Sequence, residues 1–397
     1  MQEETLRIIL DANDVQQQLL QEFERCDASQ IKCLLIQQNI SREHQTDYEL
    51  PPALQDFTAL ETISLHGNLT SVPFYLGNLS NLTSLILSKC PHIVSLPDSI
   101  GNLHNLNSID LSYCAALVSL PDSIGNLSKL ASLNLKHCTN FVTLPESIEN
   151  LESLTSLDLD SCFHLETIPN IFFLPLLKDL TLPNGRKWKH VSEMKSLSVT
   201  KLGLKQIRFI PSWIEKFHQL SSLDLSYCSN LISLPESIGN LSNLTLLNLH
   251  GCRSLVSLPE TIGSLSKLTS LNLSECFSLE SLPESIGNLS ELTSLDLCGY
   301  DMSILNALPE CVIREIPDSI GNLSKLTFLE LSGCYLIQSL PETIGNLSEL
   351  TTLGLIGCSN LVSLPESIGN LSNLTLLSAD LCFNLNALPT SLQRLTH

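Results

Sequence analysis

The chain has 397 residues, with 21 Lys and Arg against 41 Asp and Glu, which gives a net charge of −20 and a pI near 4.8. That balance disfavours non-specific attraction to nucleic acid or to anionic membranes, and no run approaches the roughly 18 uninterrupted apolar residues of a membrane span. Aromatic residues make up only 5% of the sequence, so the core must be built from aliphatic side chains, and a single compact core of this length would be unusual.

Residues 1–30 predict an N-terminal helical cap, because Leu6, Ile9, Leu10, Leu19, Leu20 and Phe23 recur at near-helical spacing. The start Met1, Gln2, Glu3, Glu4 lacks the basic opening and long apolar segment of a secretory signal, so Sec-type export is not expected. Residues 31–59 read as a degenerate first repeat, with Ile31, Leu34, Ile36 and Asn39 preceding a longer loop to Leu50 and Pro51.

From residue 60 to 397 the sequence repeats with a period of 24, marked by Pro73, Pro97, Pro121, Pro145 and Pro169, again by Pro211, Pro235, Pro259 and Pro283, and finally by Pro317, Pro341, Pro365 and Pro389. One unit, residues 220–243, reads LSSLDLSYCSNLISLPESIGNLSN. Its first half alternates Leu223 and Leu225 with Ser222, Asp224 and Ser226, the period of two of a short strand. The second half opens on Pro235 and Glu236. Proline needs no donor in a first helical turn and the acid faces the positive helix end. Fourteen such units fit the segment.

The expected fold class is α/β: a leucine-rich repeat solenoid (horseshoe) with a curved parallel β-sheet on the concave face and short helices or loops on the convex face. Each unit buries its apolar side only against its neighbours. Residues after Pro389 offer no recognisable cap, so the last unit is expected to be frayed or closed by a partner.

Ten of the 14 cysteines fall at the ninth repeat position, from Cys90 through Cys228 to Cys382, while Cys26, Cys33, Cys298 and Cys311 fall elsewhere. A buried ladder of small thiols is expected. No C-x-x-C spacing supports a metal or redox centre. Strand neighbours about 4.8 Å apart lie within disulfide range, so a free ladder implies a reducing compartment.

With Cys at the ninth position followed by L-P-x-S-I-G-N-L, the units resemble the leucine-rich repeats of plant intracellular immune receptors of the TIR type, of plant Ras-group-related repeat proteins and of bacterial leucine-rich repeat effectors. The resemblance covers residues 60–397 and, more weakly, 31–59. It implies a scaffold that binds proteins, and the repeat consensus itself encodes the scaffold and not a partner. The sequence departs from complete receptors by lacking a G-x-x-x-x-G-K-[ST] nucleotide-binding motif. Nor do residues remain after the repeats for the separate catalytic domain of bacterial repeat ubiquitin ligases.

Regularity breaks in two places. Across 169–211 the units shorten, and residues 178–208 hold eight of the 21 basic residues against only Asp179 and Glu193. Both tryptophans, Trp188 and Trp213, lie in or beside this segment, and Trp and Arg are enriched in binding hot spots. Arg186, Lys187, Trp188, Lys189, Lys201, Lys205, Arg208 and Trp213 are therefore the candidate partner-binding residues, with Phe328 added from the strand face. A degenerate joint between two duplicated blocks accounts for the same segment and stays open. The second break is an insertion at 300–316, read either as a partner-binding loop or as an aborted duplication.

Elsewhere the strand face is polar and mildly acidic, read mainly as solvated scaffold, with Tyr113, Tyr227, Leu246, His137 and His250 among the exceptions. No H-E-x-x-H, no G-x-S-x-G and no clustered His and acid pair occurs, so no enzyme, cofactor or metal is expected. The expectation is a non-catalytic protein-protein interaction module with an unknown protein partner, no nucleic acid and no membrane insertion. Its setting is cytoplasmic, as a scaffold or sensor, or as an effector delivered into a host cell by a non-Sec route. A substrate-recognition subunit or atypical member of a ubiquitin ligase is the alternative.

Overall fold

The computed structural model describes residues 4–10, 15–38, 46–169, 171, 174–183, 198–299 and 311–395. The chain divides into two compact units, Met1–Met194 and Lys195–His397.

In the first unit eight described strands run in chain order: β1 (Thr5–Leu10), β2 (Cys33–Gln38), β3 (Thr62–His66), β4 (Ser84–Ile86), β5 (Ser108–Asp110), β6 (Ser132–Asn134), β7 (Ser156–Asp158) and β8 (Asp179–Leu182). All pair in parallel with their sequence neighbours. In the second unit β9 (Lys201–Leu204), β10 (Ser222–Asp224), β11 (Leu246–Asn248), β12 (Ser270–Asn272), β13 (Ser294–Asp296), β14 (Phe328–Glu330), β15 (Thr352–Gly354) and β16 (Leu376–Ser378) do the same.

Register follows the repeat. Leu223, Leu247, Leu271, Leu295, Leu329, Leu353 and Leu377 face one another in successive strands. The pairing of Leu295 with Leu329 spans the longest unit, so its extra residues leave the register intact. The insertion at 300–310 itself lies outside the described residues.

The expected short helices are single 3-10 turns such as Asp98–Asn102 and Glu236–Asn240, each entered from an extended proline. Where these turns hold a glycine, close approach of the next unit is the reason. A Cβ on Gly125 would lie 2.7 Å from Ser147 Cβ and 3.1 Å from its carbonyl carbon. Each turn that holds a glycine seats it against the serine or threonine of the next unit, while in other turns residues such as Glu149 and Glu215 take that place. Thr261 and Thr343 also donate a hydroxyl hydrogen bond back to the carbonyls of Glu236 and Asp318, each at 2.7 Å.

The N-terminal segment differs from the expectation. Residues 5–10 alternate and form strand β1, with Ile8 and Leu10 buried, and its register sets Ile8 opposite Ile36 of β2. Only α1 (Val15–Arg25) is helical, and Val15, Leu19 and Phe23 carry its buried stripe while Leu20 and Ile9 face outward. The Phe23 ring packs 4.9 Å from that of Phe57.

The thiol ladder is present and buried except at Cys382, which is half-buried. Each ladder sulfur donates to a leucine carbonyl of the preceding unit, as Cys138 does to Leu111 at 3.1 Å and Cys252 to Leu225 at 3.2 Å. Burial, the largest cause, pushes the thiols of Cys114, Cys162 and Cys276 up to about 12 and that of Cys228 to about 11. They stay protonated and serve as small donors. Cys311, expected off the ladder, is buried with its sulfur 3.3 Å from that of Cys334.

Candidate functional site

On most of the short strands, β5, β6, β10, β12 and β13 among them, the middle leucine or isoleucine is buried and the residues on either side are part-exposed, which sets two columns of side chains across the strands. The fifth repeat position is held mainly by Asp or Asn. Its side-chain oxygen accepts the backbone N–H two residues on: Asp110 from Ser112 at 2.8 Å, Asn134 from Lys136 at 3.0 Å, Asp224 from Ser226 at 2.9 Å and Asn272 from Ser274 at 2.9 Å. Much of the acidity read from sequence as solvated polarity thus closes the turn that leaves each strand.

That turn places the eighth repeat position in the left-handed region. Every described residue with positive φ sits there: Lys89, Tyr113, His137, Ser161, Gln206, Tyr227, Glu275 and Leu381, with Gly67, Gly251, Gly333 and Gly357. The conformation carries the backbone N–H across to the next unit, as from Tyr113 to the Lys136 carbonyl and from Tyr227 to that of His250, both 2.7 Å. It also turns the side chain outward along the strand-exit rim.

In the second unit this rim gathers the largest cluster of specific contacts. The Lys205 ammonium pairs with the Asp224 carboxylate and donates to Ser226 Oγ at 2.7 Å. His250 Nε2 lies 2.9 Å from the Tyr227 hydroxyl and His250 Nδ1 lies 2.7 Å from Ser274 Oγ, which donates to Asn272 Oδ1 at 2.6 Å. Both imidazole nitrogens are thereby engaged, and the chain of bonds ends on an amide. Arg253 pairs with the buried Glu275 at 3.0 Å and sits over the Phe277 ring at 5.3 Å. In the same run of repeats Tyr227 is 63%, Phe209 60% and Leu246 46% exposed, and the Arg208 guanidinium lies 5.3 Å from the Phe209 ring centroid.

The first unit repeats the theme on a smaller scale. Tyr113 stacks on His137 with centroids 4.5 Å apart and Lys136 pairs with Asp160 at 3.1 Å. Hollows of about 660 Å³ beside Lys32 and Lys129, and about 490 Å³ among Glu260, Glu284, Glu315 and Asp318, contain neither His nor Cys in their linings.

The described residues among those chosen from sequence lie on different elements. Lys201, Lys205 and Arg208 belong to the strand and exit turn of β9. Trp213 lies in the 3-10 turn Ser212–Lys216, on the other layer, its ring 5.5 Å from Phe217. Phe328 opens β14, half-buried and opposite Ser294 and Thr352. Arg186, Lys187, Trp188 and Lys189 lie outside the described residues. The rim of Phe209, Tyr227, Arg253 and Phe277 was not found from sequence as a group, although Tyr227 and His250 stood out singly.

Two carboxylates in equivalent positions titrate in opposite directions. Burial, followed by the Asp160 charge, raises Asp158 above its ordinary value despite the N–H it accepts from Asp160. At Asp224 burial also works to raise it, yet the hydrogen bond from Lys205, the Ser226 N–H and the Lys205 charge together hold it below. The depressed group stabilises the fold above its ordinary value, a contribution lost as pH falls through its folded value. The raised group opposes folding at neutral pH and is relieved on acidification through its folded value. Asp224→Asn should therefore lower the urea midpoint at pH 7, by an amount that shrinks toward pH 3. Asp158→Asn keeps the turn bond and should leave the midpoint unchanged or raise it, with the two forms converging below about pH 4, near the ordinary aspartate value. A loss in Asp158→Asn equal to that in Asp224→Asn would contradict this assignment.

A family model for the leucine-rich repeat region matches residues 39–210 and 205–311, and a leucine-rich repeat model matches 325–347. Among solved structures, a repeat protein of Leptospira interrogans aligns at TM-score 0.56 and 25% identity over 91% of this chain and 93% of that one. A TDR receptor aligns at TM-score 0.55 and 24% identity over 88% of this chain and 61% of its own. Toll from the Drosophila Toll–Spatzle complex aligns at TM-score 0.50 and 18% identity over 89% and 39%. No curated protein sequence matches the chain.

Proposed function

The chain belongs to the leucine-rich repeat family, and from that premise we propose that it is a non-catalytic protein-binding module whose contact surface is the strand face and exit rim of the second unit. One observation carries the reading: the exposed Tyr227 is held by His250 at 2.9 Å, Arg253 is held by Glu275 and lies over Phe277, and Phe209 beneath Arg208 and Leu246 are exposed in the same run of repeats. Aromatic and arginine side chains presented rigidly lose little entropy on contact, and such residues dominate interface energetics. The free thiol ladder supports a reducing compartment, either the cytosol of the cell that makes the chain or that of a host.

The test is affinity capture from eukaryotic lysate with the native chain, with a triple variant Lys201→Glu, Arg208→Glu, Tyr227→Ala, and with Trp213→Ala as a comparison on the other layer. Each variant is checked for folding by circular dichroism. The rim variant should bind the captured partner at least about tenfold more weakly, the loss of one or two hot spots, while Trp213→Ala binds within about twofold of the native chain. Undiminished binding by the folded triple variant would move the contact surface elsewhere.

A further inference from the structure

Cys311 and Cys334 stand apart from the other described thiols. The ladder sulfurs elsewhere are directed at carbonyls, Cys228 to Leu204 at 3.1 Å and Cys358 to Leu331 at 3.2 Å. Cys311 and Cys334 instead face each other with sulfurs 3.3 Å apart, while Cys334 keeps its carbonyl contact with Leu297 at 3.4 Å. The seat is built. A Cβ on Gly299 would lie 2.5 Å from Cys311 Cβ, so the missing side chain there makes room for the thiol. Both sulfur-bearing residues are enclosed, at 3% and 0% exposure.

We propose that Cys311 and Cys334 form an oxidisable thiol pair that a hydroperoxide converts to an intramolecular disulfide. A bonded pair needs sulfurs about 2.05 Å apart, a closure of roughly 1.3 Å. Because Cys334 donates to the Leu297 carbonyl, Cys311 is the sulfur placed to attack; in the same sense, the Cys311 contact and burial push Cys334 above the ordinary thiol range while the Cys334 contact lowers Cys311. The Cys311 thiolate attacks one peroxide oxygen, the O–O bond breaks, and the released hydroxide takes a proton to leave as water, giving a sulfenic acid. Cys334 sulfur then attacks the sulfenic sulfur, the S–O bond breaks, and hydroxide leaves with the Cys334 proton as a second water. In sum two thiols and one hydrogen peroxide give one disulfide and two waters, with two electrons passing from sulfur to oxygen.

The full chain is treated with a small excess of hydrogen peroxide, blocked with N-ethylmaleimide and digested without reductant for mass spectrometry. The expected first product is a reducible link between the peptides holding residues 311 and 334, forming at least tenfold faster than any other link. It should persist in Cys298→Ser and vanish in Cys311→Ser, a variant that leaves the carbonyl-bonded ladder whole. The proposal is overturned if another pair links first, if Cys311 proceeds to sulfinic acid without linking, or if the link forms no faster natively than in urea.

Discussion

Leu271→Asp is expected to unfold the second unit around β12 while the first unit's strands stay protected. Leu271 is fully buried and sits in register between Leu247 and Leu295. Its replacement removes a side chain whose truncation alone costs about 2–5 kcal/mol and places a carboxylate where no cation can reach it, for a total above about 5 kcal/mol. Because each repeat is stabilised only by its neighbours, the loss should spread along the second unit. Hydrogen exchange followed by mass spectrometry should show protection lost across β11 to β13 and retained in β4 to β7. Uniform protection in both units, or uniform loss, would refute this account.

The second large effect is expected at a residue with no side chain. Gly125→Val forces a branched group into the backbone of Ser147, where even a Cβ would lie 2.7 Å from Ser147 Cβ. Neither wall is a flexible side-chain end, so the 3-10 turns of adjacent units must separate. A loss of about 3 kcal/mol or more is expected in the denaturant midpoint, with Gly125→Ala intermediate at about 1–3 kcal/mol. A neutral valine would mean that the two turns can slide apart freely.

The repeat made the fold readable, because alternation around Leu223 or Leu133 assigns strand, face and register together. It concealed the site for the same reason. Trp213 stands eight residues after Lys205 in sequence, but eight residues of a repeat cross from the strand layer to the 3-10 layer. Tyr227 and His250 are 23 apart and share a hydrogen bond. Side-chain contacts here run across the repeats, so neighbours along the chain, such as Lys205 and Trp213, need not be neighbours on the surface. The capping role of Asp110, Asn134 and Asp224 was legible only in its recurrence, since its cause is the left-handed residue three positions later, which leaves no fixed residue type in the sequence. Cys311 lay beyond sequence reasoning because the long unit hides which of its residues returns to the ladder.

That left-handed position has a consequence for how such a chain can change over generations. The backbone there is held by hydrogen bonds that ask nothing of the side chain, and its non-glycine occupants among the described residues are Lys, Tyr, His, Ser, Gln, Glu and Leu, with no Val, Ile or Thr, whose branched Cβ the conformation penalises. Any unbranched residue can be installed for about 1 kcal/mol relative to glycine. Gly333 and Gly357 are therefore blank sites in a row of interchangeable characters, whereas at Gly251 a Cβ would lie 2.9 Å from Tyr227 Cδ1; selection can rewrite the rim one repeat at a time while the leucines beneath keep the fold unchanged.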